Sequence, residues 1–330
     1  MTQTFMAQTS YSKTDEYGFQ RSGSFDYESH TSFMSQYMLI LTRRAQRWNA
    51  VFSGRDFRKS NILKRFIRKG IPANLRSTCW MAVSGSERLK SHCVSYRQLK
   101  LCNSNSHILE AIEIDLPRTF PDNIFFLNQE NLPNMLYHVL ATFAHQNPEV
   151  GYCQGLNYIA GLILLVTKDE TVTFWLLKTL VDEILPKYYV KTMSGLLTDF
   201  DVLDELVRTS DPVVHRHIQN IGMPWAMGTT RWFVCLYVDV LPTETVLRVW
   251  DCLFLEGSKI LFRVALTLIK IHRNLILQTS DLSDLTAVFK NMKNHTRVIN
   301  CHEFMKDIFE IPGRLSSRKI FKLRAKYHRD

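Results

Sequence analysis

The chain is poor in residues that break helices, with 13 Gly and 10 Pro in 330 positions. That scarcity excludes collagen-like and loop-dominated architectures. Long apolar runs are missing too. The longest, Ile159–Val166, has eight residues, where a bilayer-spanning helix needs roughly twenty. The N-terminus lacks a basic patch followed by an apolar segment, so no secretory leader is expected. Seven Cys are an odd number, and none forms a C-x-x-C pair. Buried free thiols in a reducing compartment are therefore expected rather than disulfides or a zinc site. The 11 His show no H-E-x-x-H or similar spacing, so no metal is expected. These absences point to a soluble, cytoplasmic chain.

What is present is a packed globular composition, 45% hydrophobic, 12% aromatic and 22% charged. A disordered chain could not bury that much apolar surface. Residues 1–30 are rich in Ser, Thr, Gln and Tyr without apolar periodicity and read as a flexible lead. From there to residue 330 the helical period dominates. Leu75, Cys79 and Ala82 follow Pro72 on one face, and Leu132, Met135, Leu136, Val139, Leu140 and Phe143 make a wide stripe. Val172, Leu176, Leu180 and Ile184 form another, and Leu261, Val264, Leu268, Ile271 and Leu275 continue the pattern. Pro242 opens and Gly257 closes a segment containing Trp250. Hairpin signals and fixed-period repeats are absent, so the Trp250-Asp251 pair is no propeller mark. One large all-α domain is expected over 31–330.

The net charge of +10 is concentrated. Between Arg43 and Lys69 lie ten basic side chains against Asp56 alone, and a second basic cluster runs from Arg314 to Arg329. Trp48, Val51 and Phe52, then Ile62, Leu63, Phe66 and Ile67, interleave with the first cluster at helical spacing. A basic helical arm over 43–69 with a solvated face is the favoured reading. Attraction to acidic lipid head groups stands beside it. Specific nucleic-acid binding is not expected, because no helix-turn-helix, zinc-finger or stacking pattern accompanies the charge.

Two short segments place polar residues where a helix is interrupted. In Ile112–Pro121, Pro117 should stop a helix near Leu116, leaving Arg118 on a loop close to Asp115. An ion pair stapling the helix end is the bland alternative. In Asn147–Gly155, Asn-Pro and two glycines mark a turn, and an apolar helix follows from Leu156. Gln154 then stands near a helix N-terminus, where free amides favour an anion. Its carboxamide offers a donor and an acceptor that can orient water, or it simply caps the turn. Neither segment is a phosphate cradle of its own, since G-x-x-x-x-G-K-[ST] and G-x-G-x-x-G are both absent.

At these residues the sequence resembles the TBC-domain family of GTPase-activating proteins for Rab GTPases. The family's I-x-x-D-x-x-R pattern is matched by Ile112, Asp115 and Arg118, and its Y-x-Q-G pattern by Tyr152, Gln154 and Gly155. An earlier motif appears as Gly70, Ile71, Pro72, Leu75, Arg76 and Trp80. A later one appears as Arg248, Val249, Trp250, Asp251, Glu256 and Gly257. Four motifs in the family's order span about residues 70–258. Asp15–Phe19 and RWFVCLYVDVLP tie the chain to one subgroup, while Leu156 replaces the Met common after the Q-G pair.

The resemblance implies a dual-finger mechanism acting in trans on a GTP-bound Rab. Arg118 would neutralise charge on the transferred phosphoryl group and Gln154 would position the attacking water. Asp115 would hold Arg118, with Thr119 beside it. Tyr152 and Gly155 would shape the glutamine turn, and Trp250, Asp251 and Arg248 would support it from a neighbouring helix. A supplied arginine is worth about 10³–10⁵ in rate, or roughly 4–7 kcal/mol. No cofactor of its own is implied, since the GTP and magnesium belong to the Rab. On that ground the chain is expected not to be an enzyme with its own substrate site. Cytoplasmic residence, peripheral on endomembranes, is implied as well. The competing expectation is a non-catalytic Rab-binding or scaffold module on the same frame.

Overall fold

A computed structural model describes residues 13–21, 23, 26–52, 54, 56–100, 106–128 and 131–328. Residues 1–12 of the lead, together with Arg55, Cys102, Arg329 and Asp330, lie outside them. Among the described residues the only β pairing is two isolated bridges, Thr14 to Gln20 and Phe19 to Asn123. Everything longer is helical, as expected.

Two helices open the fold, α1 (Tyr27–Phe52) and α2 (Asn61–Lys69). The basic arm expected over 43–69 is therefore divided by a non-helical stretch at 56–60. Ser60 starts α2 by accepting the Leu63 amide on its hydroxyl at 3.1 Å, which satisfies one of the helix's orphan donors. Leu63 and Ile67 are fully buried, each stabilising the contact by about 1.5–3 kcal/mol. On α1 the buried positions are Tyr37, Arg44 and Trp48. The solvated-face reading thus fails at Arg44, which lies on the inward stripe, and at Val51, which is exposed.

Five helices build the first half of the core: α3 (Ala73–Ser84), α4 (Ser106–Asp115), α5 (Asn131–Gln146), α6 (Leu156–Thr167) and α7 (Glu170–Thr179). Every residue of α6 from Leu156 to Leu165 except Tyr158 is buried. A helix that is apolar all round must run through the interior, and α3, α5 and α7 enclose this one. On α3 the buried face takes Val83 rather than Ala82, which is exposed.

The second half holds α8 (Ser194–Ser210), α9 (Trp225–Val234), α10 (Thr243–Glu256), α11 (Lys259–Ile271), α12 (Cys301–Glu310) and α13 (Ser317–Lys326). Pro242 and Gly257 bracket α10 as expected, Gly257 with φ 78°. The stripe from Leu261 to Leu275 is broken at His272, where α11 ends. Among the described cysteines all are free, but Cys93 is exposed and Cys153 and Cys235 are only partly buried.

Both charged ends are tied down where they are described. The lead expected to be flexible forms a turn over residues 13–21, and the Tyr17 hydroxyl donates to Glu244 at 2.9 Å. Asn123 donates to the Tyr17 carbonyl at 2.9 Å. In the basic tail, Arg324 donates twice to the buried Asp199, at 2.7 and 2.6 Å.

Candidate functional site

Pro117 does end α4, which stops at Asp115, but the chain continues as a single 3-10 turn over Leu116–Arg118. Arg118 therefore closes a turn and does not hang on an open loop. Its guanidinium donates to Asp115 Oδ1 at 2.7 Å and to the Ile114 carbonyl at 3.2 Å. The side chain is still 59% exposed. A pair so open to water is worth about 0–1 kcal/mol, so little holds the cation back from swinging outward.

Directly after it the chain is locked. Thr119 is buried and donates to the Asp115 carbonyl at 2.8 Å. Phe120 takes φ 54°, a left-handed conformation costly for a bulky residue. Its ring sits edge-on to Phe19, Phe126 and Tyr158, with centroids 5.1, 5.6 and 5.6 Å away. Backbone strain of this kind persists only where the surroundings over-determine it.

The Gln154 turn is braced at both ends. The Gly151 amide donates to the Asn147 carbonyl at 2.8 Å. Gly155, at φ 111°, precedes α6. A Cβ added there would stand 2.8 Å from Val234 Cγ1, so only glycine fits between the turn and the end of α9. The Gly155 amide donates to Asn157 Oδ1 at 3.0 Å and the Leu156 amide to the Cys153 carbonyl at 3.1 Å. The free-amide reading of this helix N-terminus is corrected accordingly, because two of its first donors are already engaged. Gln154 itself is exposed.

The structure brings the two turns together. The Tyr152 hydroxyl donates to Asp115 Oδ2 at 2.7 Å, opposite the oxygen that receives Arg118. Burial, reinforced by the bond to Asp115, raises the Tyr152 phenol well above its usual range and keeps it a donor. A second bridge runs through Asn157, which donates to Thr119 Oγ1 at 2.8 Å. A third is the Tyr158 hydroxyl on the Arg118 carbonyl at 3.2 Å. Two exposed polar side chains thus project from adjacent, cross-linked turns.

The late motif behaves differently. Trp250 donates to the Leu236 carbonyl at 3.0 Å, in the turn that follows α9 and so backs Gly155 through Val234. Asp251 and Arg248 do not reach the glutamine turn. Asp251 is fully buried and accepts from Trp80 at 2.8 Å, Arg76 at 3.0 Å and the Ile71 amide at 3.2 Å. It joins the earlier motif to the later one. Arg76 donates onward to Tyr17 at 2.9 Å, and Tyr17 to Glu244. Burial pushes the Glu244 carboxyl up, but Arg76 and Arg248 outweigh it and hold it below its usual range. Arg248 donates to the Arg68 carbonyl at 3.2 Å. Glu256 receives Arg68 at 2.6 and 2.8 Å and pairs with Lys64 and Lys259 at 3.1 and 3.0 Å. These residues hold the frame, not the turns that bear Arg118 and Gln154.

Asn157, Tyr158, Gly161 and Val234 were not singled out from the sequence. Gly161 looked like part of an apolar run, yet a Cβ there would meet Phe120 at 2.9 Å and Thr119 at 3.2 Å. It lets the arginine turn lie against α6. Among the described residues no group of His, Cys, Asp and Glu is placed to hold a metal ion, and no helix is long and apolar enough to cross a membrane.

An all-helical frame carrying these motifs defines a class: the chain belongs to the RabGAP-TBC family, the Rab-GTPase-TBC domain, whose family model matches residues 73–277. It is similar to growth hormone-regulated TBC protein 1-A of Danio rerio, 48% identical over 94% of this chain and 88% of that protein. A crystal structure of the Chlamydomonas flagellar RabGAP TBC domain superposes with TM-score 0.77 at 32% identity, covering 90% of this chain and 99% of that one. A third relative, GTPase-activating protein MSB4 of Saccharomyces cerevisiae, is 30% identical over 85% of this chain and 69% of its own length. That relative and the family overturn the expectation that the chain is not an enzyme. Activating a GTPase is a catalytic activity on GTP hydrolysis, even though the nucleotide sits on another protein.

Proposed function

We propose that this protein accelerates GTP hydrolysis by a Rab-family GTPase in its GTP-bound form, with Arg118 and Gln154 entering the partner's nucleotide site. Phosphoryl transfer asks for positioning and charge rather than covalent chemistry, so two polar side chains on a rigid frame suffice. Arg118 supplies a planar cation that can form paired hydrogen bonds with phosphoryl oxygens, as Lys cannot. Gln154 orients the attacking water without adding charge. Asp115 releases Arg118 to the phosphate and keeps its bond to Tyr152. The GTP and magnesium are the Rab's. The setting is the cytoplasmic surface of endomembranes, with the basic arm 43–69 facing acidic lipid.

The observation that carries this reading is the exposure of Arg118 and Gln154 on turns cross-linked by Tyr152–Asp115 and Asn157–Thr119. Single-turnover GTP hydrolysis across a panel of purified Rab proteins tests it. At least one Rab should be stimulated, and Arg118→Ala and Gln154→Ala should each remove the stimulation while the fold survives. Rab binding retained without any stimulation would favour the non-catalytic module, which the engagement of Arg118 by Asp115 in the unbound chain also accommodates.

A further inference from the structure

The lead over residues 13–21 reaches the turn bearing Arg118 from outside. It first folds on itself, because Asp15 Oδ1 accepts the Tyr17 and Phe19 amides, both at 2.9 Å. Asp side chains favour such local bonds to their own backbone. The folded lead then pairs with the segment that follows Arg118. The Gln20 amide donates to the Asp122 carbonyl and the Ile124 amide to the Gly18 carbonyl, each at 2.9 Å. Asn123, fully buried, adds its side-chain bond to the Tyr17 carbonyl.

These three bonds set the partly buried Phe19 ring against Phe120, with the two planes at 90°. Aromatic pairs prefer that edge-to-face arrangement. Phe120 is the residue held at φ 54°. On its other side stands α6, where Gly161 admits the ring and Tyr158 meets it edge-on. Tyr158 in turn bonds the Arg118 carbonyl. Phe120 is therefore clamped between the lead and α6, two residues from Arg118. A bulky residue stays in the left-handed region only while its neighbours leave it no alternative. Phe19 is the wall that the lead supplies.

The lead is itself anchored on the frame. The Tyr17 hydroxyl lies between Glu244 and Arg76, 2.9 Å from each, and Arg76 is bound to the buried Asp251. One short segment thus joins the buried ionic network to the turn bearing Arg118. We infer that Phe19 is a positioning residue: the lead braces Phe120 in its left-handed conformation and so fixes where Arg118 stands relative to Gln154. The effect on hydrolysis rests on the reading that these two side chains enter a Rab's nucleotide site; the brace itself does not. A misplacement of about 1 Å can cost about 100-fold in rate, so loss of one wall should be felt in kcat.

Two measurements on the full chain test this, one of them without any GTPase. In the unbound protein, Phe19→Ala should raise amide hydrogen exchange over Leu116–Phe126 by at least about fivefold, with α10 unchanged. Phe19→Tyr keeps the ring and should restore wild-type protection. With a Rab that the wild type stimulates, Phe19→Ala should lower kcat about tenfold and leave KM within about twofold. Phe19→Tyr should match the wild type in both. Unchanged exchange in Phe19→Ala would overturn the brace. Loosening that spreads equally to α10 would overturn it too, by making Phe19 a general packing residue. A wild-type kcat despite faster exchange would overturn the positioning role. Should the wild type stimulate no Rab, faster exchange confined to Leu116–Phe126 still supports the brace while the hydrolysis reading fails.

Discussion

The Tyr152 hydroxyl lies 2.7 Å from Asp115 Oδ2, so the turn bearing Gln154 and the turn bearing Arg118 share one carboxylate. That carboxylate is buried while the arginine it holds is largely open to water. The asymmetry matters. Were Arg118 to swing away, the Tyr152 hydroxyl would still keep Asp115 from standing as an unpaired buried charge. Tyr152→Phe should therefore lower stimulated hydrolysis by at least about tenfold, the low end of the roughly 1.5–3 kcal/mol carried by one hydrogen bond to a charged group. The unfolding midpoint should move by only a few degrees. Wild-type rates for Tyr152→Phe would show that the turns do not depend on their shared acid.

Asn157 is buried and touches both turns. Its carboxamide binds the Gly155 amide at 3.0 Å and Thr119 at 2.8 Å. Asn157→Ala should reduce kcat for the GTPase pair by about 10- to 100-fold with little change in KM, as expected when misplacement and not binding is the defect. A change confined to KM would contradict that role.

Asp251 is 171 residues from Trp80 in sequence yet 2.8 Å away in space. Asp251→Ala strands the buried Arg76 and should cost about 3–5 kcal/mol in urea unfolding. Arg118→Ala should cost under about 1 kcal/mol. Comparable losses for the two would erase the distinction between a buried frame residue and an exposed side chain at a turn.

The pH dependence follows from Glu256. Burial pushes its carboxyl up, but the bonds from Arg68 and Lys259 prevail and hold it at about 2, against an ordinary 4.5. A carboxylate depressed in the folded state contributes stability that is fully present above pH 4.5 and is lost as the pH falls toward 2. Screening at the partly exposed Arg68 and Lys64 brings the contribution to about 1–2 kcal/mol. Thermal unfolding between pH 5 and about pH 2 should show a shallower slope for Glu256→Gln than for the wild type. Parallel curves would reject the assignment.

The turns bearing Arg118 and Gln154 were legible in the sequence because proline and glycine mark them. Pro117 ends α4 and Gly155 begins α6, each for a local reason. The apolar stripes were legible for the same reason, since periodicity is local. What escaped depends on distant partners. Asp251 looked like a neighbour of the glutamine turn, yet its partners are Trp80, Arg76 and Ile71. Arg44 looked like part of a solvated face because charge predicts exposure, and the structure buries it. The lead looked flexible because it has no apolar period, yet over residues 13–21 it is held by Tyr17 on Glu244 and by Asn123 on the Tyr17 carbonyl. Gly161 gave no sign at all. Its meaning is the absence of a methyl group where Phe120 crosses.

The Tyr17 clamp bears on how the gene should be cut. The family match begins at residue 73 and ends at residue 277. Arg76 is sealed by a phenol from residue 17, Glu256 by cations from α2, and Asp199 by an arginine from the tail. A fragment trimmed to the matched span would open three charged interior pairs to solvent at once, so expression boundaries belong outside the clamp.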